Sequence, residues 1–521
     1  MKAKSFLFGL LASAAFVSCS NEVDSIENNV VNQKGEQSYL AVNLNPVTRT
    51  TPTFEAGSDA ENLVNNVSFF FFDADGNAYD VTGEGSNRLD KTYSNPKDQE
   101  FTGDVNVEEI STPILLIEES QQVPPQKIVA VLNCPISNTN ISLSALQSQV
   151  GTYNTITVGE GDAATTYFVM SNSAYMNAVT GEEVVATDIP ALSISHDAET
   201  ALANPVTIYV ERVAAKVAVT SGQESFATGV KTSNGGDIYA VVEGWELTNI
   251  KSEARLLKKI NTAWNSDVLG FVWNNAANYR SYWADTETGG GVTHPWSWNT
   301  ITNDASRYYY ENTGDDKTQL LVKAYFVDAD GNELKGDNAV AEWYGAKYTF
   351  ADLKEQFANA VATQIYVKTG DKTAESIEPE HITFYQESDQ ASEQRYLCYA
   401  TLDSETTEDL VFVSGVDEDG EFVTMTVDEV NEILAGIRPA KIWEAGGYYY
   451  MNVDHMGETA EGLVRNHVYE IYVNSITGLG TPVYDPAMII KPEPPTGDAS
   501  YISAEIKVLS WAVVSYDVDL Q

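Results

Sequence analysis

The sequence predicts a mainly β protein of two sandwich domains with a few short helices. Short apolar segments recur either with period two or as continuous runs, turns rich in Gly, Asn and Asp separate them, and few stretches carry helical spacing. A chain of 521 residues has room for about two to four domains with full cores.

The chain opens with Lys2 and Lys4 before an apolar run from Phe6 to Val17, which ends in Ser18-Cys19. That run is too short to span a bilayer as a helix and reads as a secretory signal. A cysteine directly after a small residue at its end is where a lipoprotein signal peptidase cuts, so 1–19 is expected to be a signal ending at a lipidated Cys19. Residues 20–37 are polar and acidic and hold no aromatic, which suits a tether. Leu40, Val42 and Leu44 then alternate with small or polar residues, the period of a half-buried strand. Arg49 follows, an isolated basic residue among Thr and Pro, and two readings stand for it: a solvated loop arginine or an exposed protease site.

Downstream, strands are expected over Val67–Phe72, Thr112–Ile117, Lys127–Leu132, Thr166–Met170 and Val206–Val210. One or two helical turns are expected over Ser142–Gln149. The Gly, Ser and Thr-rich stretch from Thr220 to Gly236 is the expected boundary, giving domains over 50–220 and 237–521. The second half starts with the strand Tyr239–Leu247. One of its two helices begins at Thr349 and sets Phe350, Leu353, Phe357 and Val361 on one face; the other spans Asp428–Gly436, with Val430, Ile433 and Leu434 inward. A stiff Pro492–Gly497 spacer leads to the last segment, 501–521, whose even positions from Ile502 to Leu520 are almost wholly apolar and predict one continuous strand.

Two copies of Asp-Ala-Asp-Gly-Asn, at Asp73 and Asp328, have the Asp-x-Asp opening of a calcium loop. Their glycine falls at the fourth position instead of the sixth, which favours hairpin turns. Thirty basic against 75 acidic residues give a formal charge of -45, which argues against nucleic acid and anionic membrane surfaces as partners. With Cys19 set aside, Cys134 and Cys398 both lie in apolar segments and read as two buried thiols more readily than as a disulfide. The five histidines have no metal-site spacing, and there is neither a phosphate loop nor a nucleophile elbow. No catalytic residue, metal or cofactor is therefore expected.

Several motifs follow one another along the chain: Val129-Ala130-Val131-Leu132-Asn133, Phe168 to Ser173, Val210-Glu211-Arg212 to Val217, Gly244-Trp245-Glu246-Leu247-Thr248-Asn249, Arg280 to Ala284 and Tyr310-Glu311-Asn312-Thr313. A tail follows, Val464-Arg465-Asn466-His467 through Gly478-Leu479-Gly480-Thr481-Pro482 to Trp511–Val514. In these the sequence resembles the shaft-forming subunits of the short (minor) fimbriae of Bacteroidales, type V pili built from lipoprotein precursors.

The resemblance implies two transthyretin-like sandwiches, export to the outer membrane as an acylated (palmitate-bearing) lipoprotein, and polymerisation into a cell-surface adhesive pilus. It implies an arginine-specific surface protease as partner, cutting between Arg49 and Thr50 and so releasing a propeptide, 20–49, whose displaced strand carries Leu40, Val42 and Leu44. Donor-strand exchange then fills the groove with the next identical subunit's Val514, Tyr516, Val518 and Leu520, and anchor and tip subunits complete the fibre. The competing class is a lipid-anchored surface glycan-binding protein, with Trp273, Tyr279, Tyr282, Trp283, Trp296 and Trp298 as stacking platforms.

Overall fold

The computed structural model describes residues 37–46, 59–92, 114–118, 123–161, 164–177, 180–260, 299, 306–312, 318–386, 396–453, 455, 462–487, 501–510 and 514–515. They form a mainly β structure with short helices.

In the first sandwich the central sheet runs in the order Ile194–Ser195, Gln37–Pro46, Val206–Arg212, Met170–Asn172, Lys127–Leu132, Asn66–Phe72 and Arg88–Thr92. Its middle strands are buried on both faces. Phe69, Phe71, Ile128 and Ala130 point into one core with Leu40 and Ile208, whereas Phe70, Phe72, Val129 and Val131 point into a second core with Leu256 and Leu257. The unbroken apolar run at Phe69–Phe72 follows from this double burial, because alternate side chains find apolar partners on opposite sides.

The second sandwich packs Arg307–Tyr309, Ala215–Ser221, His467–Thr477, Tyr501–Ser510 and Val514–Ser515 against Phe226–Lys231, Asp237–Thr248, Gln319–Val327, Gly447–Asn452 and Thr481–Pro482. Trp245, Leu247, Leu320, Val322, Tyr449 and Ile471 share its core. The two sandwiches change hands earlier than the expected 220–236 boundary. Val206–Arg212 ends the first, and Ala215–Ser221 already pairs in parallel with Val468–Val473 of the second. The small-residue stretch is itself a strand and a turn of the second sandwich, Phe226–Lys231 pairing with the strand that begins at Asp237; Phe226 and Thr228 face inward between exposed Ala227 and Gly229. Close backbone approach explains the glycines nearby: a Cβ on Gly447 would sit 2.0 Å from the Leu479 carbonyl oxygen.

Between Val327 and Gly447 the chain builds a further unit with its own core. One sheet runs Ala346–Thr349, Val340–Trp343, Ala440–Trp443, Leu397–Leu402, Ile382–Gln386; a second runs Thr373–Ser376, Tyr366–Gly370, Phe412–Val416, Phe422–Met425. The two expected helices lie here as Phe350–Val361 and Val427–Ala435. The Thr349 hydroxyl caps the first by accepting from the Asp352 N–H. Thr426 and Glu429 form a reciprocal capping box on the second. Phe350, Leu353, Phe357 and Val361 are all buried, as their spacing requires.

Both Asp-Ala-Asp-Gly-Asn segments are hairpin turns. The Asp73 carboxylate accepts from the Asp75 and Asn77 N–H groups at 3.0 and 2.8 Å, and Asp328 does the same with Asp330 and Asn332 at 2.9 Å each. Gly76 and Gly331 supply φ of +81° and +85°. A third turn of this design, at Asp417-Glu418-Asp419-Gly420-Glu421, joins Phe412–Val416 to Phe422–Met425. Cys134 and Cys398 are buried free thiols. Burial pushes the Cys134 thiol up to about 12 and the Cys398 thiol up as well, so both behave as small core hydrophobes.

Candidate functional site: the opening strand and the domain junction

Gln37–Pro46 is held from both sides. Its first half, Gln37–Ala41, pairs antiparallel with Ile114–Glu118, setting Leu40 against Leu115, and Tyr39 and Leu40 also pair with Ser195 and Ile194. Its second half, Val42–Pro46, runs parallel to Val206–Val210, with Val42 against Val206 and Leu44 against Ile208. The strand thus ties together neighbours that have no other continuous link in the sheet order. Leu40 is fully buried against the core that holds Val64, Phe69, Leu115, Ile117 and Ile208. Burial of one such leucine contributes roughly 1.5–3 kcal/mol, and each ladder hydrogen bond about 0.5–1.5 kcal/mol net. These are generic interactions, and any strand with apolar side chains in the same register would make them.

At the far end of the chain, Tyr501–Ser510 pairs antiparallel with His467–Thr477 of its own sandwich. Among the described residues the strand expected over 501–521 is not continuous. Val514 and Ser515 pair antiparallel with Val508 and Lys507, so the chain reverses between Ser510 and Val514. The reversal gives the open edge of Tyr501–Ser510 a short partner from its own chain, which an uninterrupted extension would leave bare. Cys19, Arg49, Thr50, Tyr516, Val518 and Leu520 lie outside the described residues, as do the aromatics from Trp273 to Trp298.

A second constellation lies where the sandwiches meet, and it gathers the motif residues Glu211, Arg212, Glu311, Arg465 and Asn466. Lys258 Nζ lies 2.7 Å from Glu211 Oε2, both side chains inaccessible to solvent. The Arg465 guanidinium is fully buried; it donates Nε to Glu311 Oε2 at 2.9 Å and two further N–H groups to the Arg255 and Leu256 carbonyls at 2.7 and 3.2 Å. Arg212 Nε donates to the Glu61 carbonyl at 3.0 Å, and the Glu61 carboxylate accepts from Tyr308 Oη at 2.5 Å and pairs with Lys216 at 3.2 Å. Asn466, left-handed at φ +58°, donates its N–H to the Ala214 carbonyl at 2.6 Å while its Oδ1 accepts from the Arg212 N–H at 3.3 Å.

Burial raises the Glu211 carboxyl above the usual carboxylate range, although Lys258 and then Arg465 draw it down. Burial would lower Arg465, but the Glu311 carboxylate outweighs it and holds the guanidinium above its ordinary value. The residues are drawn from five separated segments, around 61, 211, 258, 311 and 465, so they tie the helix Asp59–Asn62, both sandwiches and the 254–260 segment to one point. The detectable signal was charge inside apolar runs, as at Val210-Glu211-Arg212-Val213, in positions where a strand is buried on both faces.

Among the described residues no group of three or more His, Cys, Asp or Glu side chains is placed to hold a metal ion. One strand is held by contacts that depend on spacing and register, and the junction by contacts that depend on particular side chains.

Comparison with known proteins adds the following. Residues 443–517 match the family model described as major fimbrial subunit protein type IV, fimbrillin, C-terminal. A solved fimbrilin from Porphyromonas gingivalis W83 is 13% identical with a TM-score of 0.38, covering 91% of this chain and 99% of its own. A putative cell adhesion protein from Bacteroides eggerthii DSM 20697 is 12% identical with a TM-score of 0.37, covering 93% and 99%. The tip fimbrial protein Mfa3 of Porphyromonas gingivalis is 11% identical with a TM-score of 0.29, covering 90% and 100%. No curated protein matches the chain.

Proposed function

We propose that this chain is a structural subunit of a cell-surface fimbrium, exported as a lipoprotein precursor acylated at Cys19 and activated by cleavage between Arg49 and Thr50. The observation that carries the reading is the placement of Gln37–Pro46, paired along its length yet only a few residues upstream of Arg49. The match of residues 443–517 to the fimbrillin C-terminal family supports it from the other end of the chain.

Cutting after Arg49 turns a covalently fixed strand into a peptide that can leave. Its departure opens five register pairs on Val206–Val210 and five on Ile114–Glu118. An open edge of that kind accepts a strand from another chain, and main-chain hydrogen bonds hold the joint. The donor is the end of the next identical subunit, where Tyr516, Val518 and Leu520 repeat the spacing of Leu40, Val42 and Leu44. Among the described residues this end pairs with its own chain at Val514 and Ser515, opposite Val508 and Lys507, and the exchange requires that these two pairs open. The same reading includes anchor and tip subunits at the fibre's ends and adhesion as its use.

The test is N-terminal mass spectrometry of protein sheared from the cell surface, beside the Arg49→Ala variant. A mature N-terminus at Thr50 is expected, with Arg49→Ala folded, exported and unpolymerised. Normal fibres from Arg49→Ala would overturn the cleavage step.

A further inference from the structure

Tyr344 is the one residue among the described non-glycine positions of positive φ that is not asparagine. Asn133, Asn249 and Asn466 take the left-handed conformation at +56°, +54° and +58°, and Tyr344 takes it at +50°. It sits with Gly345 (φ +79°) at the tip of the hairpin that joins Val340–Trp343 to Ala346–Thr349. A two-residue turn with both φ positive favours Asn-Gly, because a bulky side chain there is strained. Asparagine would fold this turn more comfortably, so the ring is kept at a conformational cost.

The ring is 65% exposed, the most exposed aromatic side chain among the described residues. It is also braced. The Trp343 ring meets it edge to face at 4.8 Å and is itself packed on Phe357 of the capped helix at 4.9 Å, while the Trp343 indole N–H donates to the Arg438 carbonyl at 2.8 Å. The Arg438 guanidinium lies over one face of the Tyr344 ring, 5.0 Å from its centroid, which leaves the opposite face as the one a ligand would stack on. Arg438 precedes Pro439, which restricts its backbone, and the exposed side chain makes no ion pair among the described residues, in a chain with 75 acidic side chains. The tip is open, since a Cβ on Gly345 would meet nothing within 4 Å.

We propose that Tyr344 and Arg438 form a recognition site for an acidic sugar residue of a surface glycan, the ring stacking on the pyranose and the guanidinium taking its carboxylate. An exposed aromatic face offers C–H and apolar contact to a sugar, and an arginine without a competing acid offers a bidentate fork to a carboxylate. The footprint decides the ligand class. One exposed ring and one cation match a single monosaccharide, whereas a protein interface needs a contiguous patch of buried anchors. Rigid presentation on a strained, braced turn limits the entropy lost on binding. The site belongs to the unit built between Val327 and Gly447, whose sheets share no strand with the one that holds Gln37–Pro46.

Titration calorimetry of the full chain tests this, with 3′-sialyllactose and a galacturonic acid oligomer as acidic probes and lactose as the neutral control. The wild type is expected to bind at least one acidic probe and to bind lactose at least tenfold more weakly. Tyr344→Asn is expected to abolish binding while melting at or above the wild-type temperature, because asparagine suits the turn. Arg438→Gln is expected to erase the preference for the acidic probe. Absence of heat with either acidic probe at millimolar concentration, or unchanged binding by Tyr344→Asn, would overturn the proposal.

Discussion

The opening strand and the domain junction hold the same fold by opposite means. Gln37–Pro46 is kept in place by main-chain ladders and apolar burial, which specify only spacing and register. The junction is kept by Lys258–Glu211, Arg465–Glu311 and Arg212 on Glu61, each fixed by the geometry of one side chain on another. A part that must be exchanged is well served by contacts another strand can reproduce. The buried pairs of the junction, by contrast, fail if either member changes. The helix Asp59–Asn62 sharpens the division. It lies downstream of Arg49 and is pinned to the junction, so on the proposed cleavage it stays while the strand before it goes.

The largest expected effect tests the junction. Arg465→Ala leaves Glu311 buried without its guanidinium and two backbone carbonyls without their donor, a loss of about 4 kcal/mol. Urea unfolding of the full chain should show it, and a loss under about 1 kcal/mol would mean that the junction is as replaceable as the groove.

Next comes the groove. Leu40→Ala removes a fully buried side chain and should destabilise the uncut precursor by about 3 kcal/mol. If the proposed cleavage removes residue 40 from the fibre, the same substitution should leave the assembled fibre's resistance to heat and detergent unchanged. An effect of Leu40→Ala on mature fibres would break the contrast.

How much of this was legible in the sequence varies with the range of the interaction. Helix caps at Thr349 and Thr426 and the turns at Asp73 and Asp328 depend on residues within four positions of each other, and the sequence displays them directly. The turn at Asp417 is equally local, with the same backbone carbonyl and carboxylate pattern, but Glu421 stands where the other two have asparagine, so it does not read as a repeat of them. The Leu40, Val42, Leu44 period is legible for the same reason, but its neighbours are not. That the strand runs antiparallel to 114–118 and parallel to 206–210 rests on pairings more than 70 residues apart. The junction was hidden most deeply, since Arg465 and Glu311 are separated by 154 positions and each looks like an ordinary charge in its own segment. The domain boundary was misplaced because Phe226–Lys231 alternates inward residues with Ala and Gly, which composition alone reads as a linker.

The smallest expected effect also probes the permanent side of the comparison. His455, beside the junction, is buried with its ring 4.7 Å from that of His467. The Tyr469 hydroxyl accepts from the Val464 N–H at 2.8 Å and lies in hydrogen-bond contact with His455 Nδ1 at 2.9 Å. Burial, then His467, then Lys258 hold the His455 pKa well below the ordinary imidazole value of 6.5. The unfolded chain therefore takes up a proton near pH 6.5 that the folded chain refuses, and stability falls as pH drops from that point toward the folded pKa. The slope is at most about 1.4 kcal/mol per pH unit for one linked proton. Urea midpoints measured from pH 8 to pH 5 should be level above about pH 7 and decline below about pH 6.5. His455→Gln, which cannot titrate, should flatten that decline. If the variant declines as steeply as the wild type, the acid sensitivity belongs to other buried groups, and the junction is anchored without help from the histidine pair.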